Sequence, residues 1–493
     1  MGRLDYKSGL PQRLPVLKLD TRDPAFQAAW AKLCARGGEE DEASVREATA
    51  RIVEDVRARG DEALLEYTRR FDGWDPGTAA GLALDRRAMK AAYARLAPEG
   101  RRALALAARR IEDFHARERD AEVPAKRDAT GSRLAQVVRP LARVGLYVPG
   151  GRARYPSSVL MTAIPARVAG VAEIVVCSPG VNGTGEMDDW TLAACHVAGV
   201  ARLFRVGGAQ AIAAMAYGTA TLPAVDKICG PGNAYVAAAK RLVFGQVDID
   251  MHAGPSEILV VADGSADPAE VASDLVAQAE HDPRAVAVLV TTSGGLADAA
   301  LAEVDRQLED LPRRLIAAAS LGERGAAVVA RDLKEAVALA DAFAPEHLAL
   351  HVRKAASLVP RISRAGAVFV GSSTPEAVGD YLAGPSHVLP TAGTARFASP
   401  LSVATFRRRM SVLEVSPRAL VAVAPAVEAL ATAEGLAGHW RAVAVRVDRM
   451  KRAKRPGSAG RASAPPAPGP ARAERARSGR APGARTPGRR RRR

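Results

Sequence analysis

Residues 143–180, RVGLYVPGGRARYPSSVLMTAIPARVAGVAEIVVCSPG, decide how the chain is read. RVGLYVPG is a short apolar run closed by Pro149 and Gly150, which reads as a buried strand. SSVLMTAIPARVAG is longer and stops at Gly170, as a buried helix would. AEIVVCSPG is again short, apolar and closed by Pro-Gly. Strand, helix and strand joined by short turns make a parallel βαβ unit.

Working outward, the alternation continues. DDWTLAACHVAG (helix), ARLFRVGG (strand), AQAIAAMAYG (helix), VDKICG (strand) and NAYVAAAKRLVFG (helix) follow. It then restarts with the strand SEILVVAD and the helix DPAEVASDLVAQAEH, and runs through AVAVLVTT, LADAALAEVDRQLEDL, GAAVVAR, LKEAVALADAF, EHLALHV and GAVFVG. The expected fold is α/β, with two tandem Rossmann-like doubly wound parallel-sheet units, an N-terminal helical segment and a C-terminal arm. The expected boundaries are 1–125 for the helical region, 135–255 and 256–395 for the two Rossmann-like units, 400–448 for the arm, and 451–493 for a basic tail. In such sheets ligands are expected outside the carboxyl ends of the strands.

The composition is that of an ordinary soluble globular protein, 48% hydrophobic and 25% charged. The net charge of +16 suggests a polyanion partner until it is located. Residues 451–493 hold 15 Lys and Arg against one Glu, a net +14, which leaves +2 on residues 1–450. The tail is rich in Arg, Ala, Pro, Gly and Ser and reads as disordered. Residues 441–493 have no aromatic to stack on a base, which argues against nucleic-acid binding. The first residues lack an apolar signal-peptide core and no run of 18 apolar residues occurs, so the expectation is a cytoplasmic protein without a membrane span. Cys34, Cys177, Cys195 and Cys229 are widely spaced and read as small apolar fillers.

Several segments carry chemistry. GPGNAYV is an incomplete dinucleotide fingerprint, with Tyr235 where a third glycine would stand; by itself it is as readily an ordinary strand-to-helix turn. With VPGGRARYPSS and VGGAQAIAA it makes three glycine turns after strands, suited to a phosphate-bearing ligand. FAPEHLAL sets Glu346 against His347 at the head of a strand. QAEH puts Gln278 and His281 three apart near a helix end. EAVGDYLAGPSHVLPT holds Glu376, Asp380 and His387, and AEGLAGHW holds Glu434 and His439. Singly each is also explained as a polar face or a cap. Together they offer the imidazole, carboxylate and carbonyl donors that zinc accepts. His115, His196, His252 and His351 have no partner motif and read as structural or exposed.

Eight segments in order, among them GLYVPGGRARYPSSVLMTAIPARVAGV, VDKICGPGNAYVAAAKRLVFG, IDMHAGPSEILVVAD, AQAEHDPRA, APEHLAL and PEAVGDYLAGPSHVLPTAGTARF, give a chain that resembles histidinol dehydrogenases over roughly residues 20–447. The resemblance implies a homodimer using NAD and one zinc ion per subunit. It implies zinc ligands at Gln278, His281, Asp380 and His439, the last from the partner subunit across a swapped C-terminal arm. Catalytic Glu346 and His347 are implied, as are cofactor contacts at Tyr147, Gln210 and Asn233. Substrate contacts are implied at Ser256, Glu376, His387 and Glu434, and at Gln278, His281, His347, Asp380 and His439. The implied reaction oxidises L-histidinol to L-histidine through the aldehyde with two NAD+. The nearest alternative is a paralogous zinc- and NAD-dependent dehydrogenase of another small alcohol. Ser386, where the family often has Asn, and the basic tail depart from the usual pattern.

Overall fold

The computed structural model describes residues 13–36, 40–118, 122–150, 154–251 and 254–453; His252 and residues 454–493, most of the basic tail, lie outside them. In chain order the strands are β1 (Leu17–Asp20), β2 (Ala83–Leu84), β3 (Val123–Arg127), β4 (Arg133–Pro140), β5 (Arg143–Tyr147), β6 (Glu173–Cys177), β7 (Arg202–Phe204) and β8 (Lys227–Cys229). They continue as β9 (Asp248–Ile249), β10 (Glu257–Ala262), β11 (Val286–Thr291), β12 (Ala326–Val329), β13 (His347–His351), β14 (Ala367–Val370) and β15 (Arg407–Glu414).

Two six-stranded sheets dominate, ordered β2-β7-β6-β5-β8-β9 and β1-β12-β11-β10-β13-β14. All pairings are parallel except β2 against β7. Counted from β5 in one sheet and β10 in the other, both follow the order 3-2-1-4-5, the doubly wound arrangement. Each sheet has its own switch point, between β5 and β8 and between β10 and β13, where the connections depart to opposite sides.

Both faces of each sheet are covered, which is why the central strands are apolar throughout rather than alternating. The helix Pro156–Ala169 and the helix Asp189–Ala198 cover one face of the first sheet, with Met89, Leu104 and Ile111 from the N-terminal helices packed alongside. The helices Gly208–Tyr217 and Ala234–Val243 cover the other, with Ile52, Val56 and Leu64. In the second sheet Leu259 and Val261 face the helix Leu333–Phe343 with Phe26 and Trp30, while Ile258 and Val260 face the helices Pro268–Ala279 and Gly294–Glu309.

The N-terminal region is mainly helical, but it also gives an edge strand to each sheet, β1 pairing with β12 and β2 with β7. Strands of four and two residues are too short to carry a period of their own. The helix Arg314–Arg324, between LADAALAEVDRQLEDL and GAAVVAR, is a further element that the strand-helix alternation does not predict.

The described residues divide into two compact units, one drawn from 13–124 and 135–411, the other from 125–134 and 412–453. The smaller unit contains the helices Pro417–Ala433 and Ala437–Ala453, joined by a turn in which Gly435 takes φ +70°. Ser416 caps the first of these helices by accepting from Ala419 N–H at 3.1 Å, while its hydroxyl donates to the Thr130 carbonyl at 2.6 Å. No helix among the described residues is long and apolar enough to cross a membrane.

Candidate active site

Glu346 and His347 stand at the amino end of β13, not beyond a carboxyl end. The helix Leu333–Phe343 stops at Ala344, whose φ of 49° is left-handed, and Pro345 then delivers the chain into the strand. Both side chains are buried, with 6% and 4% of their surface exposed. The neighbouring strand β10 begins at Glu257, and Ile258 lies opposite His347 in the parallel register. The Glu257 N–H donates to Glu346 Oε2 at 2.8 Å, and His347 Nδ1 lies 2.9 Å from the Glu257 carbonyl oxygen. A carbonyl only accepts, so Nδ1 carries the proton and Nε2 keeps the free lone pair.

The other residues reach the same edge because crossover helices run back against the strands. Gln278 is fully buried in the last turn of the helix Pro268–Ala279. His281 lies just past that helix and is exposed, its N–H donating to the Gln278 carbonyl at 3.3 Å. Glu376 and Asp380 sit one turn apart on the short helix Glu376–Tyr381 that follows β14. One ligand atom each from His281, Glu376 and Asp380 lie within 4.8 Å of one another. Nitrogen and carboxylate oxygen at this spacing suit a divalent cation. In one orientation the Gln278 amide oxygen, the kind of donor a cation requires, accepts from His347 Nδ1–H at 3.1 Å; in the other its nitrogen faces Glu376 Oε1 at 3.0 Å and the Glu257 carbonyl at 3.1 Å. His387 Nδ1 donates to the Asp380 carbonyl at 3.0 Å, and Ser256 precedes Glu257 at the mouth of the cluster, half-buried.

Charge is unevenly matched here. Burial, followed by nearby carboxylates, pushes Glu346 and Glu376 well above the ordinary carboxylate range. Burial also raises Asp380, against the pull of His281. Burial lowers His347 to about 3 and His387 to about 4, so both imidazoles are neutral. Two buried carboxylates and the half-buried Asp380 in one cluster form a site that favours positive charge.

The three expected cofactor positions lie at the carboxyl ends of the first sheet. Tyr147 ends β5, and its buried hydroxyl accepts from the Gly208 N–H at 3.1 Å. Gln210 is buried in the first turn of the helix Gly208–Tyr217. Asn233 caps the helix Ala234–Val243, its side chain accepting from Val236 N–H at 3.1 Å. Tyr147 and Asn233 therefore flank the β5/β8 switch point. Gly230 lets the turn close: its φ is +113°, and a Cβ there would lie 2.1 Å from the Tyr147 carbonyl oxygen. A cavity of about 160 Å³ opens nearby, lined by Gly150, Arg154, Pro179 and Asp188 among others. A larger one, about 460 Å³, lies by Asp263 and Arg353 at the other end of the second sheet and holds none of the candidate residues.

Glu434 and His439 belong to the smaller unit. Glu434 ends the helix Pro417–Ala433, His439 lies in the first turn of Ala437–Ala453, and both are exposed.

Residues 35–447 match the family model described as histidinol dehydrogenase. A histidinol dehydrogenase of Geobacter sulfurreducens is 51% identical over 429 residues, covering 87% of this chain and 99% of its own. That of Syntrophotalea carbinolica is 53% identical over 425 residues, covering 86% and 97%. The crystal structure of histidinol dehydrogenase from Elizabethkingia anophelis superposes with a TM-score of 0.82 at 34% identity, covering 89% of this chain and 99% of that one. The chain belongs to the histidinol dehydrogenase family.

Within this histidinol dehydrogenase fold, His281, Asp380, Gln278, Glu346, His347 and Glu376 meet at one sheet edge, and His387 contacts Asp380. Glu376, carried by one of the donor-bearing segments of the sequence, supplies one of the three grouped ligand atoms. One feature escaped the sequence. Arg36 and Glu257 form a buried ion pair behind Glu346. The one sequence sign of this pair is an acid at the head of the otherwise apolar EILVVA.

Proposed function

We propose that the chain oxidises L-histidinol to L-histidine in two steps, with two NAD+ and water, using one zinc ion per subunit. The observation that carries this reading is the convergence of His281, Glu376 and Asp380 within 4.8 Å beside the buried Glu346–His347 pair. When bound, the zinc ion supplies positive charge against the buried carboxylates and a coordination point for the substrate's imidazole and amine nitrogens. Gln278, His281 and Asp380 would hold it, with His439 coming from a second copy of the chain. Tyr147, Gln210 and Asn233 would hold NAD+, which would supply the hydride acceptor for each oxidation.

His347 does the first proton transfer. Its Nδ1 is committed to the Glu257 carbonyl, so Nε2 takes the proton of the substrate hydroxyl as hydride leaves carbon. Glu346 does the second, accepting a proton from the water that adds to the aldehyde. Its raised affinity for protons strengthens the ionised carboxylate as a base. Because the two residues are adjacent, both act on one carbon without the substrate moving. Ser256, Glu376, His387 and Glu434 complete the substrate contacts.

The homodimer is supported by the smaller unit, which exposes Leu413, Leu430 and Val445 at 70%, 66% and 61%. Apolar surface of this kind is what a second copy would cover. The neutral balance of residues 1–450 supports a small-molecule substrate and a cytoplasmic enzyme.

The test is the NADH yield per histidinol consumed, before and after chelation. A ratio near two, lost with chelator and restored by zinc, is expected. A ratio near one, or chelator-insensitive turnover, rejects the reading.

A further inference from the structure

Among the described residues, Ala344 and Ala392 are the non-glycine residues in left-handed backbone, at φ 49° and 53°. Such residues are strained, and they persist where the surroundings over-determine them. The two turns lie close together: a Cβ added at Gly393, next to Ala392, would stand 3.7 Å from the carbonyl oxygen of Phe343, next to Ala344. Ala344 begins the turn that delivers Glu346 and His347; Ala392 follows the loop that carries His387.

One buried ion pair holds both. The Arg36 guanidinium bonds the Glu257 carboxylate through Nη1 and the Phe343 carbonyl through Nη2, and lies 3.5 Å from the centre of the Phe343 ring. Phe343 is the residue before Ala344. The other Glu257 oxygen accepts from the Ala392 N–H at 3.0 Å. The pair's side chains are 6% and 2% exposed. Glu257 is also the residue whose main chain bonds Glu346 and His347. So one carboxylate and one guanidinium connect both strained turns to the strand that orients the acid/base pair.

We propose that Arg36 and Glu257 are positioning residues for oxidation: they brace the left-handed turns at Ala344 and Ala392 and thereby fix Glu346 and His347 against the reacting carbon. Neither is among the residues assigned to substrate. The inference rests on the reading of Glu346 and His347 as the acid/base pair.

Arg36→Lys tests it, since lysine keeps the charge but loses the planar fork that reaches two partners. Displaced turns should lower kcat roughly tenfold or more, with zinc content unchanged and the KM for histidinol changed much less. Glu257→Gln, which keeps the shape and the Ala392 bond, serves as the second variant should Arg36→Lys not fold. The decisive readout is rescue. Glycine accepts left-handed backbone without strain. Adding Ala344→Gly and Ala392→Gly to the Arg36→Lys background should therefore recover part of the lost kcat, while the same pair in the unaltered chain changes little. Normal kcat in folded Arg36→Lys and Glu257→Gln, or no recovery with the glycines, overturns the brace. Glu346→Gln, run in parallel, separates the two ideas. Unimpaired aldehyde oxidation there overturns the acid/base reading and the brace with it. Impaired oxidation there with normal kcat in Arg36→Lys overturns the brace alone.

Discussion

His347 donates Nδ1–H to the Glu257 carbonyl at 2.9 Å, and in the proposed reaction this bond leaves Nε2 to act as base. Glu346 accepts from the Glu257 N–H, and the proposal assigns it to the water that adds to the aldehyde. The division predicts unequal variants. Glu346→Gln should slow oxidation of supplied aldehyde by roughly a hundredfold or more, and more than His347→Asn does; equal losses in both half-reactions would reject separate roles. A second titrating group, Asp72, lies beside Gly207, near the proposed cofactor contact Tyr147. Burial raises Asp72 from 3.8 to about 6, only partly offset by the Gly207 N–H. The folded protein therefore binds more protons than the unfolded chain between those values. Stability falls as pH rises through that window, and the cost is complete above it. Asp72→Asn should gain stability over the unaltered chain between pH 4 and pH 7, by up to about 2 kcal/mol. Denaturant melts at the two pH values read this directly; a difference independent of pH would mean that Asp72 keeps its ordinary pKa.

At the scale of elements, Gly230 is where the fold is least forgiving. Gly230→Ala would drive a methyl into the Tyr147 carbonyl at the switch point. The expected result is a loss of about 1–3 kcal/mol and a raised KM for NAD+, read from thermal melts and initial rates; unchanged values would show that the turn can shift. This turn was legible in GPGNAYV, as were the strands from β5 to β14 apart from the short β9, because buried parallel strands leave apolar runs closed by glycine or proline. Two-residue β2 and β9 left no such trace. The grouping of the candidate residues was legible only in part: FAPEHLAL already set Glu346 and His347 at the head of a strand. The carboxyl-end rule suits Tyr147, Gln210 and Asn233, but Glu346, His347 and Glu257 begin their strands. What no spacing showed is that β10 and β13 are neighbours, which brings Glu257 beside Glu346 and His347. Nor does any spacing link Glu376 to His281, because one follows β14 and the other lies in the crossover from β10 to β11.

For the whole molecule, the shared-site proposal makes a quantitative demand. His281→Asn and His439→Asn should each lose zinc and activity alone. Mixed by refolding together, they should regain about a quarter of normal activity, since half of the dimers would be mixed and each would hold one intact site. No regain would put His439 in the site of its own chain. A different consequence follows from β1. It pairs with β12, about 300 residues later in the chain, and Arg36 follows closely behind it. At typical synthesis rates the ribosome needs roughly 15–60 s to make that intervening length. For that interval the nascent amino terminus has no sheet to join, so this enzyme should mature only after translation is nearly done, and early nascent chains are the form most exposed to chaperones and proteases.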